Sequence, residues 1–154
     1  MAIELTSSAF DSGEPLPMRH TCDGNGISPP LHWRFAPDNT ESLVLVCEDP
    51  DAPRGTFAHW VLYDIPPEMR ELPENVPGEA RLAWGGVHGR NDSGGIGYAS
   101  PCPPSGPAHR YYFRIYALDQ KLNLAPGANR QQILDQMDGH ILDRGELLGQ
   151  YARL

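Results

Sequence analysis

Asp49, Asp51, His59 and His109 are the residues of this chain best suited to chemistry, and each lies beside a stretch that proline or glycine keeps irregular. Asp49 and Asp51 flank Pro50, and Pro53 follows. Proline fixes its own φ and biases the preceding residue towards extended backbone, so both carboxylates sit on a stiff loop. Carboxylates so placed can accept protons or orient a histidine. Asp-Pro also commonly starts a turn, so the triplet alone reads more readily as a turn than as a site. His59 lies eight residues after Asp51, and His109 opens a strongly alternating stretch. Histidine titrates near neutral pH and can donate, accept or carry charge. A lone histidine at a strand end is usually structural, but two beside irregular loops point to a shared pocket. Pro103-Pro104, just before Ser105-Gly106-Pro107, offers either a rigid cavity wall or a plain crossover loop.

Strands must position these groups. Leu43-Val44-Leu45-Val46-Cys47 is continuously apolar and partly β-branched, which predicts a buried strand over residues 42–48. Residues 57–65 alternate, so Phe57, His59, Val61, Tyr63 and Ile65 are expected on one face, and Trp60 and Leu62 on the other. Residues 110–119 form the clearest strand, with Tyr111, Phe113 and Ile115 facing one way and Tyr112, Arg114 and Tyr116 the other. Shorter strands are expected at residues 3–10, 31–35 and 146–151. Residues 66–107 are loop-rich, and so long an irregular stretch in a compact domain often carries function. One helix follows Pro126-Gly127, with Asn129 as its N-cap, Gln132 as reciprocal partner, and Ile133, Leu134, Met137 and Ile141 as its apolar stripe. Many strands and one late helix predict a mainly β fold over residues 1–154 as a single domain. The expected architecture is an antiparallel β-sandwich with one or two short helices, the clearest near the C-terminus. Loops gather at the ends of such a sandwich, where the aspartates and histidines can meet.

Composition narrows the partners. Sixteen Gly and sixteen Pro in 154 residues supply the turns of a β protein. The formal net charge of -8 argues against nucleic acid, whose phosphates call for a basic surface. The N-terminus lacks the charged and apolar regions of a signal peptide, and the longest apolar run falls far short of the ~20 residues of a membrane span. A cytoplasmic, reduced protein is therefore expected. Three cysteines without CxxC spacing argue against a disulfide framework and against a zinc site. Cys47 reads as a core residue, while a bridge between the loop residues Cys22 and Cys102 stays open. No cofactor and no metal is expected.

Asp49-Pro50-Asp51-Ala52-Pro53, followed by Phe57-Ala58-His59-Trp60-Val61, resembles the first signature of the phosphatidylethanolamine-binding protein family. Pro103-Pro104, Gly106 and His109-Arg110-Tyr111 resemble its second. Cys22-Asp23-Gly24-Asn25-Gly26, Ser28-Pro29-Pro30-Leu31-His32-Trp33 and Gly145-Glu146-Leu147-Leu148-Gly149-Gln150-Tyr151 resemble terminal segments of its bacterial, Raf-kinase-inhibitor-like branch. The resemblance implies a β-sandwich with a small pocket at one end, lined by Asp49, Asp51, His59, Pro103, Pro104, His109 and Tyr111. It implies a ligand that is a small phosphate-containing or carboxylate anion, such as a phosphoethanolamine-like head group. It also implies a protein partner such as a kinase or protease, and a homodimer. Ser93, Ala99 and Ser100 depart from the commoner pattern, which puts any backbone contact to the anion there in question.

Two aspartates are an unexpected choice for holding phosphate. Either one is protonated, or a histidine cation compensates, or the aspartates hold the ammonium of a zwitterion while histidines hold its phosphate. The third arrangement uses every charge and predicts that phosphoethanolamine binds more tightly than phosphate. Two other readings compete: a metal-dependent or Cys/His hydrolase using the same pocket, and a pure protein-interaction inhibitor. The absence of HxxxH, of a Gly-x-Ser-x-Gly elbow and of a Gly-rich phosphate loop weighs against the enzyme, so no catalytic residue is assigned.

Overall fold

Antiparallel pairing builds the fold, in a computed structural model that describes residues 3–154. Strands β1 (Glu4–Thr6), β2 (Leu31–Arg34) and β5 (Glu71–Leu72) form a small sheet in the order β1-β2-β5. Strands β3 (Ser42–Asp49), β4 (Phe57–Ile65), β6 (Val87–His88), β7 (His109–Leu118) and β8 (Ile141–Tyr151) form a larger one in the order β6-β4-β3-β7-β8. The mainly β, antiparallel architecture expected from the sequence is what forms.

Every residue of β3 is buried. Leu43, Leu45 and Cys47 face the small sheet and pack with Trp33, Trp60, Phe113 and Ile115. Val44 and Val46 face the other way, against Val61, Tyr63, Ile133 and Met137. The small sheet thus covers one side of the central strand and helix α1 (Arg130–Met137) the other. A strand covered on both faces reads as a continuous apolar run and not as an alternation.

The helix begins as its sequence dictates. Asn129 accepts from the Gln132 backbone N–H, and the Gln132 side chain accepts in return from the Asn129 N–H. It ends sooner than its apolar stripe suggests: Gly139 turns with φ +82°, and Ile141 opens β8. Ile141 still packs against the same cluster as Ile133 and Met137. The last strand therefore starts five residues before the expected Glu146. The first strand contracts to Glu4–Thr6, and Met18–His20 makes a single 3₁₀ turn.

Two bulges correct the expected facing of β4. Cys47 pairs with Trp60 while Glu48 pairs with Ala58, and Leu45 pairs with Leu62 while Leu43 pairs with Ile65. Each skip inserts one residue and reverses the alternation beyond it. Ile65 consequently joins Trp60 and Leu62, and His59 lies on their side, while Val61 and Tyr63 stay on the other. Asp64, at φ 51°, absorbs the second bulge and accepts from the N–H groups of Leu122 and Asn123.

Cys22 and Cys102 are joined in a disulfide, which corrects the expectation of a fully reduced chain; Cys47 stays a buried free thiol. The bridge spans a sequence separation of 80. Closing so long a loop in the unfolded chain stabilises the fold by about 4 kcal/mol in the chain-entropy picture. It also anchors the proline loop after Cys102, together with a hydrogen bond from Cys22 N–H to the Pro101 carbonyl.

Candidate functional site

Three adjacent strands bring their ends together at one edge of the large sheet. β3 ends at Asp49, which pairs with Phe57 at the start of β4. On the other side β7 begins at His109, just before Tyr112, the partner of Glu48. The loops leaving these ends enclose a cavity of about 320 Å³. Six of the seven expected residues line it: Asp49, His59, Pro103, Pro104, His109 and Tyr111. Phe57, Ala52 and Pro53 complete the walls from within the first motif. Ser93, Ala99, Ser100 and Cys102 close it from the long loop, where no spacing signal marked them as neighbours of the histidines.

Asp51 is the exception. Its carboxylate is turned outward and clamped by Arg110, accepting from the backbone N–H at 2.9 Å, from Nε at 3.0 Å and from Nη2 at 2.8 Å. Those hydrogen bonds hold its pKa at about 2, so it is an anion already paired. It borders a neighbouring surface groove with Arg110 and Gln150 and not the cavity.

Asp49 lies at the cavity floor and is 3% exposed. Its Oδ1 accepts from the Asp51 N–H at 2.7 Å, and its Oδ2 accepts from His109 Nδ1 at 2.6 Å. A carboxylate can only accept from an imidazole N–H, so the His109 proton sits on Nδ1 and Nε2 is left for the cavity. His59 repeats the arrangement: Nδ1 donates to the Ala99 carbonyl at 2.7 Å, and the Ala99 N–H donates back to the His59 carbonyl at 2.8 Å. The Tyr111 ring lies 5.3 Å from that of His59 and 6.5 Å from that of His109. Its hydroxyl has no hydrogen-bond partner among the described residues. Burial pushes the Tyr111 pKa up, so the group remains an O–H donor.

The departures at Ser93, Ala99 and Ser100 now have distinct meanings. Asn91 Oδ1 collects the Ser93 N–H, the Ser93 hydroxyl and the Gly95 N–H, so Ser93 has its donors turned away from the cavity. The Ala99 N–H is committed to His59. Ser100 keeps its N–H and hydroxyl uncommitted among the described residues, at the cavity wall.

Burial shifts His59, His20 and His88 in one direction. Each has its pKa lowered from the ordinary 6.5, chiefly because burial disfavours the cation. His20 is fully buried, its Nε2 without a hydrogen bond and 3.7 Å from Glu74 Oε1, and His88 Nε2 accepts from Trp60 Nε1 at 3.0 Å. A depressed pKa means that the unfolded chain binds the proton more readily. The stability these neutral histidines contribute is complete above pH 6.5 and is lost as pH falls towards their folded values. Urea titrations from pH 8 to pH 5 are expected to show stability falling below pH 6.5 with a slope approaching about three protons per chain. A flat profile over that window would mean that these rings charge freely in the fold.

Among the described residues, no group of three or more His, Cys, Asp or Glu side chains is arranged to hold a metal ion, and no helix is long and apolar enough to cross a membrane. An antiparallel β fold with a small cavity at one end, lined by an Asp–His pair and by prolines, defines the class of fold and site. The chain belongs to the phosphatidylethanolamine-binding protein family, whose sequence profile matches residues 6–152. It is 50% identical to a UPF0098 protein of Methanothermobacter thermautotrophicus over 98% of this chain and 99% of that one. A UPF0098 protein of Chlamydia trachomatis is 43% identical, with 98% and 99% covered. Among solved structures, a phosphatidylethanolamine-binding protein homolog from Chlamydia trachomatis superimposes with a TM-score of 0.91 at 42% identity, covering 99% of both chains. YbcL of E. coli, described as a member of the mammalian family, gives 0.92 at 29% identity over the full length of both.

Proposed function

We propose that the cavity binds a small oxyanion without turning it over, and that a phosphate group, free or carried on a phosphoethanolamine-like or phospholipid head group, is the part it recognises. The observation that carries this reading is the pair of imidazoles whose Nδ1–H groups are held by Asp49 and Ala99, which leaves both Nε2 atoms without a protein partner on residues that line one cavity with Tyr111. Neutral Nε2 atoms accept, while Tyr111 and Ser100 donate. A phosphate that keeps a P–OH satisfies both kinds of group, and one without a proton does so once a histidine takes one up. The Cys/His hydrolase reading is disfavoured because the Cys102 sulfur is tied to Cys22 and is not a free thiol.

The arrangement in which two aspartates grip an ammonium loses its support, because Arg110 holds Asp51, and both Asp49 oxygens already accept hydrogen bonds. The phosphate end is then the recognised end. Inorganic phosphate, glycerol phosphate and phosphoethanolamine are expected to bind within about 1 kcal/mol of one another. Affinity is expected to rise as pH falls from 8 to 6, because burial lowers the His59 pKa and a bound anion beside the ring opposes that shift, so that binding takes up a proton. The experiment is an NMR titration of the histidine rings with each ligand, in EDTA. Saturable shifts at His59 and His109, without matching shifts at His20, His32, His88 and His140, support the proposal. Unmoved His59 and His109 rings would remove it, and a strong preference for phosphoethanolamine would restore a carboxylate role.

A further inference from the structure

A second concave site lies behind the first, on the opposite face of the β3–β7 pair. Successive side chains of a strand alternate, so Glu48 faces away from the side that Asp49 serves. The Glu48 side chain is 4% exposed, and its carboxylate accepts from Arg114 Nη1 on β7 and from Arg130 Nε at the start of α1. Arg114 Nε also donates to Glu146 Oε2 at 3.0 Å. Arg144, on β8, stands with its guanidinium 6.0 Å from the centre of the Tyr116 ring. No acceptor for that guanidinium is found among the described residues. These groups, with Leu134, surround a cavity of about 660 Å³, roomier than the first.

The charges there do not cancel. Three guanidinium groups face two carboxylates, on a chain whose net charge is -8. A buried Glu needs a partner, and one arginine would meet that need. Here two serve Glu48, and a third has no acidic partner among the described residues. A guanidinium carries five N–H donors, so Arg114 and Arg130 keep several beyond those given to Glu48 and Glu146. Planar donors with surplus positive charge in a concavity match the fork geometry of carboxylate and phosphate. The Tyr116 ring and Leu134 give the same cavity an apolar wall.

We propose that this is a second binding site, for an organic oxyanion: a carboxylate or phosphomonoester group held by Arg144 and the spare N–H groups of Arg130 and Arg114, with an apolar body against Tyr116 and Leu134. It is independent of the histidine cavity. The test follows arginine Nε–H resonances of the full chain during titration with phenyl phosphate and, in parallel, benzoate. Saturable shifts at Arg144 and Arg130 are expected with at least one probe, and the better probe tells which oxyanion the site prefers. Arg144→Gln, at an exposed strand position, is expected to weaken that binding about ten-fold while leaving the His59 and His109 responses to phosphate unchanged. His109→Ala is expected to leave the arginine shifts intact. Shifts that stay linear and match those of exposed Arg54 would overturn the proposal, as would saturable shifts that Arg144→Gln does not weaken.

Discussion

Replacing His109 with Ala is expected to lower the affinity of the histidine cavity for phosphate by about ten- to hundred-fold, the range of one charge-assisted hydrogen bond. The loss goes beyond the missing contact, because Asp49 is left 3% exposed without the donor that now occupies its Oδ2. A companion variant, Asp49→Asn, separates the two roles of the pair. The amide oxygen is held where it can accept from the Asp51 N–H, as Oδ1 does now, which turns the amide NH₂ towards His109. His109 Nδ1 must then accept, and the ring proton moves to Nε2. A neutral His109 would thereby become a donor to the ligand. The pH dependence of phosphate binding, carried by His59, is expected to persist in both variants, while Asp49→Asn keeps more of the affinity than His109→Ala. Isothermal titration at pH 6, 7 and 8 reads both effects. An unchanged affinity in His109→Ala would show that the anion sits elsewhere.

Trp60→Ala is expected to be the most damaging change to stability. Trp60 is fully buried between the sheets, meets the Tyr98 ring edge-on at 5.5 Å, and donates from Nε1 to His88 Nε2. Emptying that volume costs about 3–5 kcal/mol. A buried imidazole nitrogen left unpaired costs roughly 1–3 kcal/mol more. Against a typical total of about 5–15 kcal/mol, the variant sits near the edge of folding, with Tm lowered by roughly 8–32 °C. Trp60→Phe keeps most of the packing and loses the N–H, so it is expected to show mainly the smaller of the two losses. Urea denaturation followed by the fluorescence of Trp33 and Trp84 compares the variants. Equal losses in both would mean that the hydrogen bond to His88, and not the volume, dominates. His59 shares the neighbouring bulge, so the same variants are expected to loosen the cavity.

How much of this was legible in the residues differs from element to element, for physical reasons. The continuous apolar run of 43–47 marked β3 as buried on both faces, since only such a strand dispenses with polar alternation. The helix start at Asn129 was readable because a capping box is a local hydrogen-bond exchange between residues three apart. Its end was not, because Ile141 serves the same cluster from a strand as it would from a helix. The facing of His59 was misread because a bulge is made by the pairing of two strands and leaves no mark in the period of either. Asp51 was expected in the pocket through the family resemblance of the Asp49–Pro53 motif; Arg110, fifty-nine residues away in sequence, turns it outward. The sequence by itself determined the strand-rich class, the buried centre of the large sheet and the start of the helix, all of which follow from local composition and periodicity. Only the tertiary structure decided which residues share a cavity, that Cys22 and Cys102 are joined, and that three arginines gather around Glu48. Each of these rests on contacts between distant segments, whose geometry is set by register and packing and not by neighbours in the chain.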